Sequence, residues 1–251
     1  MTTPEVLVHR DGPLLAKAAA ARLITVLVDS IAARGSASVV LTGGGIGTAV
    51  LAALGDAPAR DAIDWARLDI WWGDERFLAA GDPERNETGA RSALLDRVDV
   101  DPARVHPMPG PDGPDGNDPE AAAARYASWL AAAARPQDHG SVPAFDVLML
   151  GIGPEAHVAS LFPGLPALHD ERTVVAVHDS PKPPPTRLSL TFPSIQAARE
   201  VWVLASGAEK ADAVANSLSG AGPDEYPAAG ARGRQRTLFL LDRDAAAKVP
   251  A

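Results

Sequence analysis

The segment at residues 145–151 (FDVLMLG) constrains the fold more than any other part of the sequence. Its apolar residues form a nearly continuous run that ends at a glycine, which is typical of a strand buried on both faces of a parallel sheet. Similar short runs recur along the chain and alternate with longer segments rich in Ala and Leu. The sequence therefore predicts an α/β fold in which a mainly parallel, Rossmann-like sheet is flanked by helices.

The predicted elements and loops extend over the whole chain. Strands are predicted at 6–9, 38–42, 68–72, 145–151, 174–177, 201–205 and 237–241, and helices at 13–34, about 47–54, 87–95, 194–199 and 209–218. Loops are predicted at 107–119, which is rich in Pro, Gly and Asp, and at the Pro-rich residues 180–186. Because apolar strands of one type lie on both sides of the first loop, we expect a single domain over residues 1–251.

Composition excludes several classes of function. The chain has 23 Lys and Arg against 32 Asp and Glu, a net charge of -9, so it would be repelled by nucleic acids and anionic membranes. It has no Cys, which excludes disulfides, thiolate nucleophiles and Cys-ligated metals. Apart from His157, which is considered below, the histidines (His9, His106, His139, His169 and His178) lack the spacing of metal ligands. Neither a metal nor another cofactor is therefore expected.

The same composition predicts where the protein is found. No apolar run reaches the roughly 20 residues that span a bilayer, and the first ten residues lack the apolar stretch of a secretion signal. We expect a cytoplasmic protein. The sequence leaves its oligomeric state open, with a monomer as the expectation.

The first candidate site segment is the glycine-rich sequence LTGGGIGT at residues 41–48. Gly43, Gly44 and Gly45 allow a ligand to approach the backbone closely, and a helix N-terminus just beyond them favours a phosphate. Thr42 and Thr48 supply hydroxyl groups beside these glycines. The pattern is neither G-x-G-x-x-G nor a P-loop, so by itself it is equally consistent with an ordinary turn.

The second candidate segment places three charged residues directly after the apolar strand LDIWW. Arg76 offers a planar fork of donors for phosphate or carboxylate. Asp74 and Glu75 would orient that fork or accept hydrogen bonds from sugar hydroxyls. The alternative is that all three side chains are simply solvated.

The third candidate segment, GIGPEAHVASLFPG at residues 151–164, follows the most strongly predicted strand. His157 stands two residues after Glu155, and a histidine beside a carboxylate is suited to accept a proton near neutral pH. A purely structural histidine is the alternative. Ser160 does not lie in a G-x-S-x-G elbow, which argues against a serine nucleophile.

Arg187 and Lys210 are two further cations at predicted strand ends. The alternative for both is an ordinary surface position.

Taken in order, these segments resemble the glucosamine-6-phosphate isomerase/6-phosphogluconolactonase family. The resemblance covers most of the chain, and its most specific parts are residues 145–164, similar to the family signature G-x-G-x-D-G-H-x-A-S-L-F-P-G, and residues 180–210. The D-E-R sequence and S-L-F-P-G resemble the lactonase branch rather than the deaminase branch, which has D-E-Y. The resemblance implies a sugar-phosphate isomerase/deaminase-like fold and hydrolysis of 6-phospho-D-glucono-1,5-lactone in the pentose phosphate pathway. A glucosamine-6-phosphate deaminase or isomerase, or a non-catalytic sugar-phosphate sensor, is the alternative.

The resemblance also implies roles for the candidate residues. His157 would be the general base, Glu155 would orient it, and Arg76 or backbone N–H groups would stabilise the oxyanion. The substrate phosphate would be bound by the glycine-rich backbone with Arg187 and Lys210.

Two departures from the family pattern lead to expectations of their own. Gly45 and Ile46 replace the usual Ser and Thr, so Thr42 or Thr48 would supply the missing hydroxyl. Glu155 and Ala156 replace the usual Asp and Gly. Because alanine disfavours positive φ, a reshaped loop is expected at Ala156.

Overall fold

The computed structural model of the protein describes residues 2–138 and 140–250, and His139 lies outside this range. Its strands are β1 (Pro4–His9), β2 (Ala37–Leu41), β3 (Leu68–Trp72), β4 (Asp74–Arg76), β5 (Val147–Gly151), β6 (Val174–Val177), β7 (Arg187–Leu190), β8 (Glu200–Ala205) and β9 (Arg236–Asp242). Its α-helices are α1 (Gly12–Arg34), α2 (Gly44–Asp56), α3 (Asn86–Ala93), α4 (Pro119–Ala133), α5 (Phe192–Gln196) and α6 (Ala211–Leu218).

The central sheet has six strands in the order β1-β9-β8-β5-β2-β3, and all neighbouring pairs are parallel. The side chains of β5 from Val147 to Leu150 are all completely buried. Because successive side chains of a strand point to opposite faces, both faces of the sheet are covered. This confirms the predicted fold class and the interpretation of the FDVLMLG segment.

Local sequence signals set the bounds of the long first helix. The side chain of Asp11 accepts a 2.9 Å hydrogen bond from the backbone N–H of Leu14 and so caps α1, which has Pro13 in its first turn. The helix ends at Gly35, whose φ of 79° is the left-handed conformation of a glycine C-cap. The predicted helix at 13–34 is therefore almost unchanged in the structure.

The main difference from the predicted fold is a second, antiparallel sheet of three strands in the order β4-β7-β6. Residues 174–177 form the predicted strand, but in this sheet, and Asp74–Arg76 forms a strand where only a polar segment after a strand was expected. Gly73 joins the two sheets, because its N–H donates to Leu41 O (3.1 Å) and its carbonyl accepts from Leu190 N (2.8 Å). A three-residue strand is too short to give a hydrophobic period, so the sequence pattern does not indicate it.

This topology brings the candidate segments together. The carboxyl ends of β2, β5 and β8 meet at one edge of the parallel sheet, which is where ligands of open α/β sheets bind. Pairing of β4 with β7 then places Arg76 directly opposite Arg187. Helix α2 begins at Gly44 rather than near residue 47, so two of the three glycines form its first turn.

Candidate active site

A cleft of about 260 Å³ lies at the carboxyl edge of the parallel sheet and contains most of the predicted site residues. It is lined by Thr42, Gly43, Gly44, Asp74, Arg76, Asn86, Gly151, Ile152, Gly153, His157, Ala159, Lys182, Pro183, Arg187 and Lys210. Glu155 contacts this cleft through His157. Gly45 and Thr48 instead line a neighbouring depression, which shares Gly43, Gly44, Arg76 and Asn86 with the cleft.

His157 and Glu155 form a close pair at the side of the cleft. Oε1 of Glu155 lies 3.0 Å from Nδ1 of His157, although not along the direction of a ring N–H bond. The imidazole packs on Phe162 with 4.3 Å between ring centroids, and its side chain is 14 % exposed. Burial, and after it the charge of Lys182, lowers the pKa of His157 to about 4. The ring is therefore neutral at neutral pH, and the negative charge of Glu155 lies on the Nδ1 side of it.

A tight turn holds the histidine in place. Gly153 N donates to His157 O (3.0 Å), and Ala156 N donates to Gly153 O (2.9 Å). Ala156 is fully buried and has a φ of 62°, so alanine adopts the positive φ that the sequence argument considered unfavourable. The hydrogen bond from Ala228 N to Ala156 O (2.9 Å) fixes this peptide from outside the turn. Tertiary contacts thus outweigh the local preference of alanine.

Asp74 lies on the floor of the cleft. Its Oδ2 accepts a 2.7 Å hydrogen bond from Ser160 Oγ, and its carbonyl accepts a 2.8 Å hydrogen bond from the side-chain amide of Asn86. Burial raises the pKa of Asp74, against the hydrogen bond from Ser160 and the charges of Arg187 and Arg76. Ser160, which sequence reasoning considered only as a nucleophile, therefore positions a carboxylate.

Glu75 has a different role from the one the sequence suggested. Its carboxylate accepts hydrogen bonds from three backbone N–H groups, those of Arg76 (2.9 Å), Asn86 (2.7 Å) and Glu87 (2.9 Å). It thereby caps α3 from a separate strand. Burial raises the pKa of Glu75 to about 7, against the charge of Arg85 and the three backbone N–H groups. Glu75 therefore binds the backbone N–H of Arg76 and does not orient its guanidinium. The guanidinium donates to the carbonyl of Glu84.

Arg187 is almost completely buried and holds the Pro-rich loop at residues 180–186. Its guanidinium donates to the carbonyls of Lys182 (2.9 Å), Pro183 (3.1 Å) and Pro184 (3.2 Å). Burial lowers the pKa of Arg187, while Asp74 opposes that shift. Arg187 therefore has two tasks that the sequence did not separate: it lines the cleft and it fixes the path of the loop.

Two lysines complete the cationic side of the cleft. Lys210 ends a short 3₁₀ turn, Ala208–Lys210, and no ion pair joins it to the residues that the structure describes. Burial, followed by the charge of Lys182, lowers the pKa of Lys210. Lys182 itself was missed as a site residue. The available signal was its position in the Pro-rich loop just before Arg187, a predicted site residue.

The N-terminus of α2 faces the cleft without a side-chain cap. Gly43 is the N-cap residue, and no side chain of residues 2–138 or 140–250 caps the helix. A Cβ atom at Gly43 would lie 1.8 Å from Oδ1 of Asn86, so only glycine fits here. Thr42 joins neighbouring strands, since its Oγ1 accepts from Gly151 N at 3.2 Å. The backbone N–H groups at the start of α2 therefore present partial positive charge to the cleft.

In residues 2–138 and 140–250, no group of three or more His, Asp or Glu side chains is arranged to hold a metal ion. Within the same residues, no helix has the length and apolar character needed to cross a membrane.

An open parallel sheet with a histidine–carboxylate pair and several cations at its carboxyl edge defines a Rossmann-like α/β enzyme. The model of one family, described as glucosamine-6-phosphate isomerases/6-phosphogluconolactonase, matches residues 10–240. The chain belongs to this family.

Individual relatives agree with the family assignment. The chain is 65% identical to the 6-phosphogluconolactonase of Streptomyces coelicolor over 249 residues, which cover 99% of this chain and 95% of that protein. It is 54% identical to the 6-phosphogluconolactonase of Mycobacterium tuberculosis over 241 residues, 96% of each chain.

Solved structures show the same fold. The 6-phosphogluconolactonase of Trypanosoma brucei superimposes with a TM-score of 0.84 at 28% identity, over 100% of both chains. A monomeric glucosamine-6-phosphate deaminase shares the fold with a TM-score of 0.79 at 21% identity, over 97% of this chain and 99% of that one.

Proposed function

We propose that the protein is a cytoplasmic enzyme that hydrolyses 6-phospho-D-glucono-1,5-lactone to 6-phospho-D-gluconate in the pentose phosphate pathway. The observation that supports the proposal is the shared cleft, whose lining includes His157, the N-terminus of α2 and the cations Arg187 and Lys210. The names of the most similar relatives support this choice of substrate.

In the proposed reaction, His157 acts as the general base at Nε2. It removes a proton from a water molecule as that water attacks C1 of the lactone, and a tetrahedral intermediate forms. The bond between C1 and the ring oxygen then breaks, and the imidazolium returns the proton to that oxygen. Glu155 stabilises the imidazolium from the Nδ1 side, where its carboxylate lies at 3.0 Å.

The negative charge that develops on the carbonyl oxygen needs donors fixed in advance. Arg76 is suited to this role, because it lines the cleft and its guanidinium carries several N–H donors, of which Nη1 donates to the carbonyl of Glu84. Asp74 would accept a hydrogen bond from a sugar hydroxyl at the floor of the cleft.

The phosphate would be bound in the same cleft by the first backbone N–H groups of α2, together with Arg187 and Lys210. Thr42 and Gly43 line this cleft, whereas Gly45 and Thr48 would contribute from the neighbouring depression. Binding energy from this distant group would orient C1 against His157, so losing a phosphate contact should lower kcat as well as raise KM.

The proposal is tested by measuring lactone decay with and without the protein, and with His157→Gln. The wild-type protein should accelerate decay far above the spontaneous rate, and the variant should lose about 10²–10⁴-fold in kcat. His169→Gln, at an exposed histidine, is the matched control. Near-normal kcat in His157→Gln would remove His157 from the role of base. Binding of 6-phosphogluconate without faster decay would indicate a sugar-phosphate sensor.

One observation favours a second candidate, a glucosamine-6-phosphate deaminase or isomerase. Asp74 is a buried carboxylate on the cleft floor with a raised pKa, which is suited to moving a proton on a sugar carbon. Release of ammonia from glucosamine 6-phosphate, with no acceleration of lactone decay, would select this function instead.

A further inference from the structure

Lys182 takes part in a chain of charged contacts that ends at His157. Its Nζ lies 3.3 Å from Oε2 of Glu155, and the other oxygen of that carboxylate lies 3.0 Å from Nδ1 of His157. One carboxylate thus bridges the ammonium and the imidazole. Both oxygens of Glu155 are used, one on each side.

The loop that carries Lys182 is held firmly enough to make this contact specific. Arg187 binds the carbonyls of Lys182 and its two successors, and Ser180 Oγ donates to the carbonyl of Lys182 at 3.1 Å. The side chain of Lys182 is 39 % exposed, so its ammonium reaches Glu155 at the border between protein and solvent.

The charged groups around the imidazole are few. Glu155 favours the charged form of His157, while Lys182 and Arg187 disfavour it, and the ring of Phe162 covers one face. Arg187 is fixed by the loop carbonyls. The ammonium of Lys182, in contrast to the guanidinium of Arg187, is paired with Glu155.

We infer that Lys182 is a positioning residue that acts on His157 through Glu155: it anchors the bridging carboxylate and places a positive charge near the imidazole. The inference deepens the proposed function, in which His157 is the base. It also gives a reason for glutamate at position 155, because a carboxylate on this longer side chain spans both partners.

The sign of the effect follows from the charges. Removing the ammonium takes away a repulsive charge and leaves Glu155 with a stronger attraction for the imidazolium, and both changes raise the pKa of His157. A base must be unprotonated to accept a proton. The acidic limb of kcat/KM, which reports the free enzyme, should therefore move to higher pH when Lys182 is lost.

The test compares Lys182→Met and Lys182→Gln with the conservative Lys182→Arg and with the control Lys248→Met. The control removes a surface lysine that pairs with Asp212. NMR titration of the His157 Cε1–H signal in the substrate-free protein gives the pKa directly, and lactone hydrolysis gives the pH profile.

We expect the His157 signal of the wild-type protein to titrate at about pH 4. In Lys182→Met and Lys182→Gln, both the NMR titration and the acidic limb should move up by about one pH unit or more. In Lys182→Arg, which keeps the positive charge, the titration and the acidic limb should stay close to those of the wild-type protein. Lys248→Met should not change them.

Other results would overturn the inference. A higher KM with an unchanged His157 titration would make Lys182 a ligand of the substrate only. A lower kcat at every pH with an unchanged titration would make it only a support for the loop. The NMR titration needs no turnover, so it still decides on Lys182 if the protein does not hydrolyse the lactone, a result that would refute the proposed function alone.

Discussion

Gly153→Ala is the change that tests the placement of His157 most directly. A Cβ atom at Gly153 would lie 1.9 Å from Nδ1 and 2.1 Å from Cε1 of His157. Gly153 does not adopt a left-handed φ, so its backbone accepts alanine without strain. Non-bonded heavy atoms pack at roughly 3.5 Å or more, so the imidazole must retreat by about 1.5 Å.

The imidazole has little room for this movement. Phe162, which is 1% exposed, lies at 4.3 Å between ring centroids, and Glu155 occupies the Nδ1 side. The ring must therefore turn away from its present position. Because a displacement of about 1 Å at a reacting group costs on the order of 10²-fold in rate, kcat of Gly153→Ala should fall by at least about 10²-fold.

The proposed phosphate ligands at the start of α2 and at Lys210 belong to other segments of the chain, so KM should change much less than kcat. Overpacking a buried site costs about 1–3 kcal/mol, equivalent to a fall of roughly 2–12 °C in Tm for a chain of this size. The assay is steady-state lactone hydrolysis at saturating substrate, together with thermal unfolding. Gly222→Ala is the matched control, because nothing lies within 4 Å of a Cβ placed there. A kcat within threefold of wild type would refute the placement of His157 against Gly153.

Two further predictions concern Glu75, which caps α3, and Lys210, which lines the cleft. Glu75→Ala leaves three backbone N–H groups, two of them buried, without this acceptor and should lower the free energy of unfolding by about 3 kcal/mol or more in urea denaturation. The exposed Glu171→Ala is its control, and equal stability of the two variants would contradict the capping role. Lys210→Ala should raise KM and also lower kcat, because phosphate binding orients the reacting end of the substrate. A KM equal to that of Lys248→Ala would instead make Lys210 an ordinary surface residue.

The sequence predicted the parallel sheet well because its signal is local. A strand buried on both faces shows a continuous apolar run, and FDVLMLG became β5 with four fully buried side chains in succession. The same pattern explains why the candidate segments lie together. Each follows a strand of one parallel sheet, and all such strands end at the same edge.

What the sequence did not reveal depends on contacts between distant segments. Glu75 caps a helix that begins eleven positions later, and Lys182 reaches Glu155 only because Arg187 fixes the intervening loop. The three-residue strand β4 exists because β7 pairs with it. Ala156 adopts a positive φ because hydrogen bonds on both sides of its peptide hold it there. None of these features has a period or spacing that could be recognised along the chain.

The net charge of the chain bears differently on large and on small anions. A nucleic acid or an anionic membrane would meet a large part of the surface, and a charge of -9 would repel it. The proposed phosphorylated sugar would meet only the cleft, which is lined by Arg76, Lys182, Arg187 and Lys210 together with Asp74. Exposed carboxylates farther away than about 8 Å are largely screened at physiological salt, whereas partly buried cations are screened much less. The local excess of positive charge therefore governs binding of a small anion, and the overall charge governs only the larger partners.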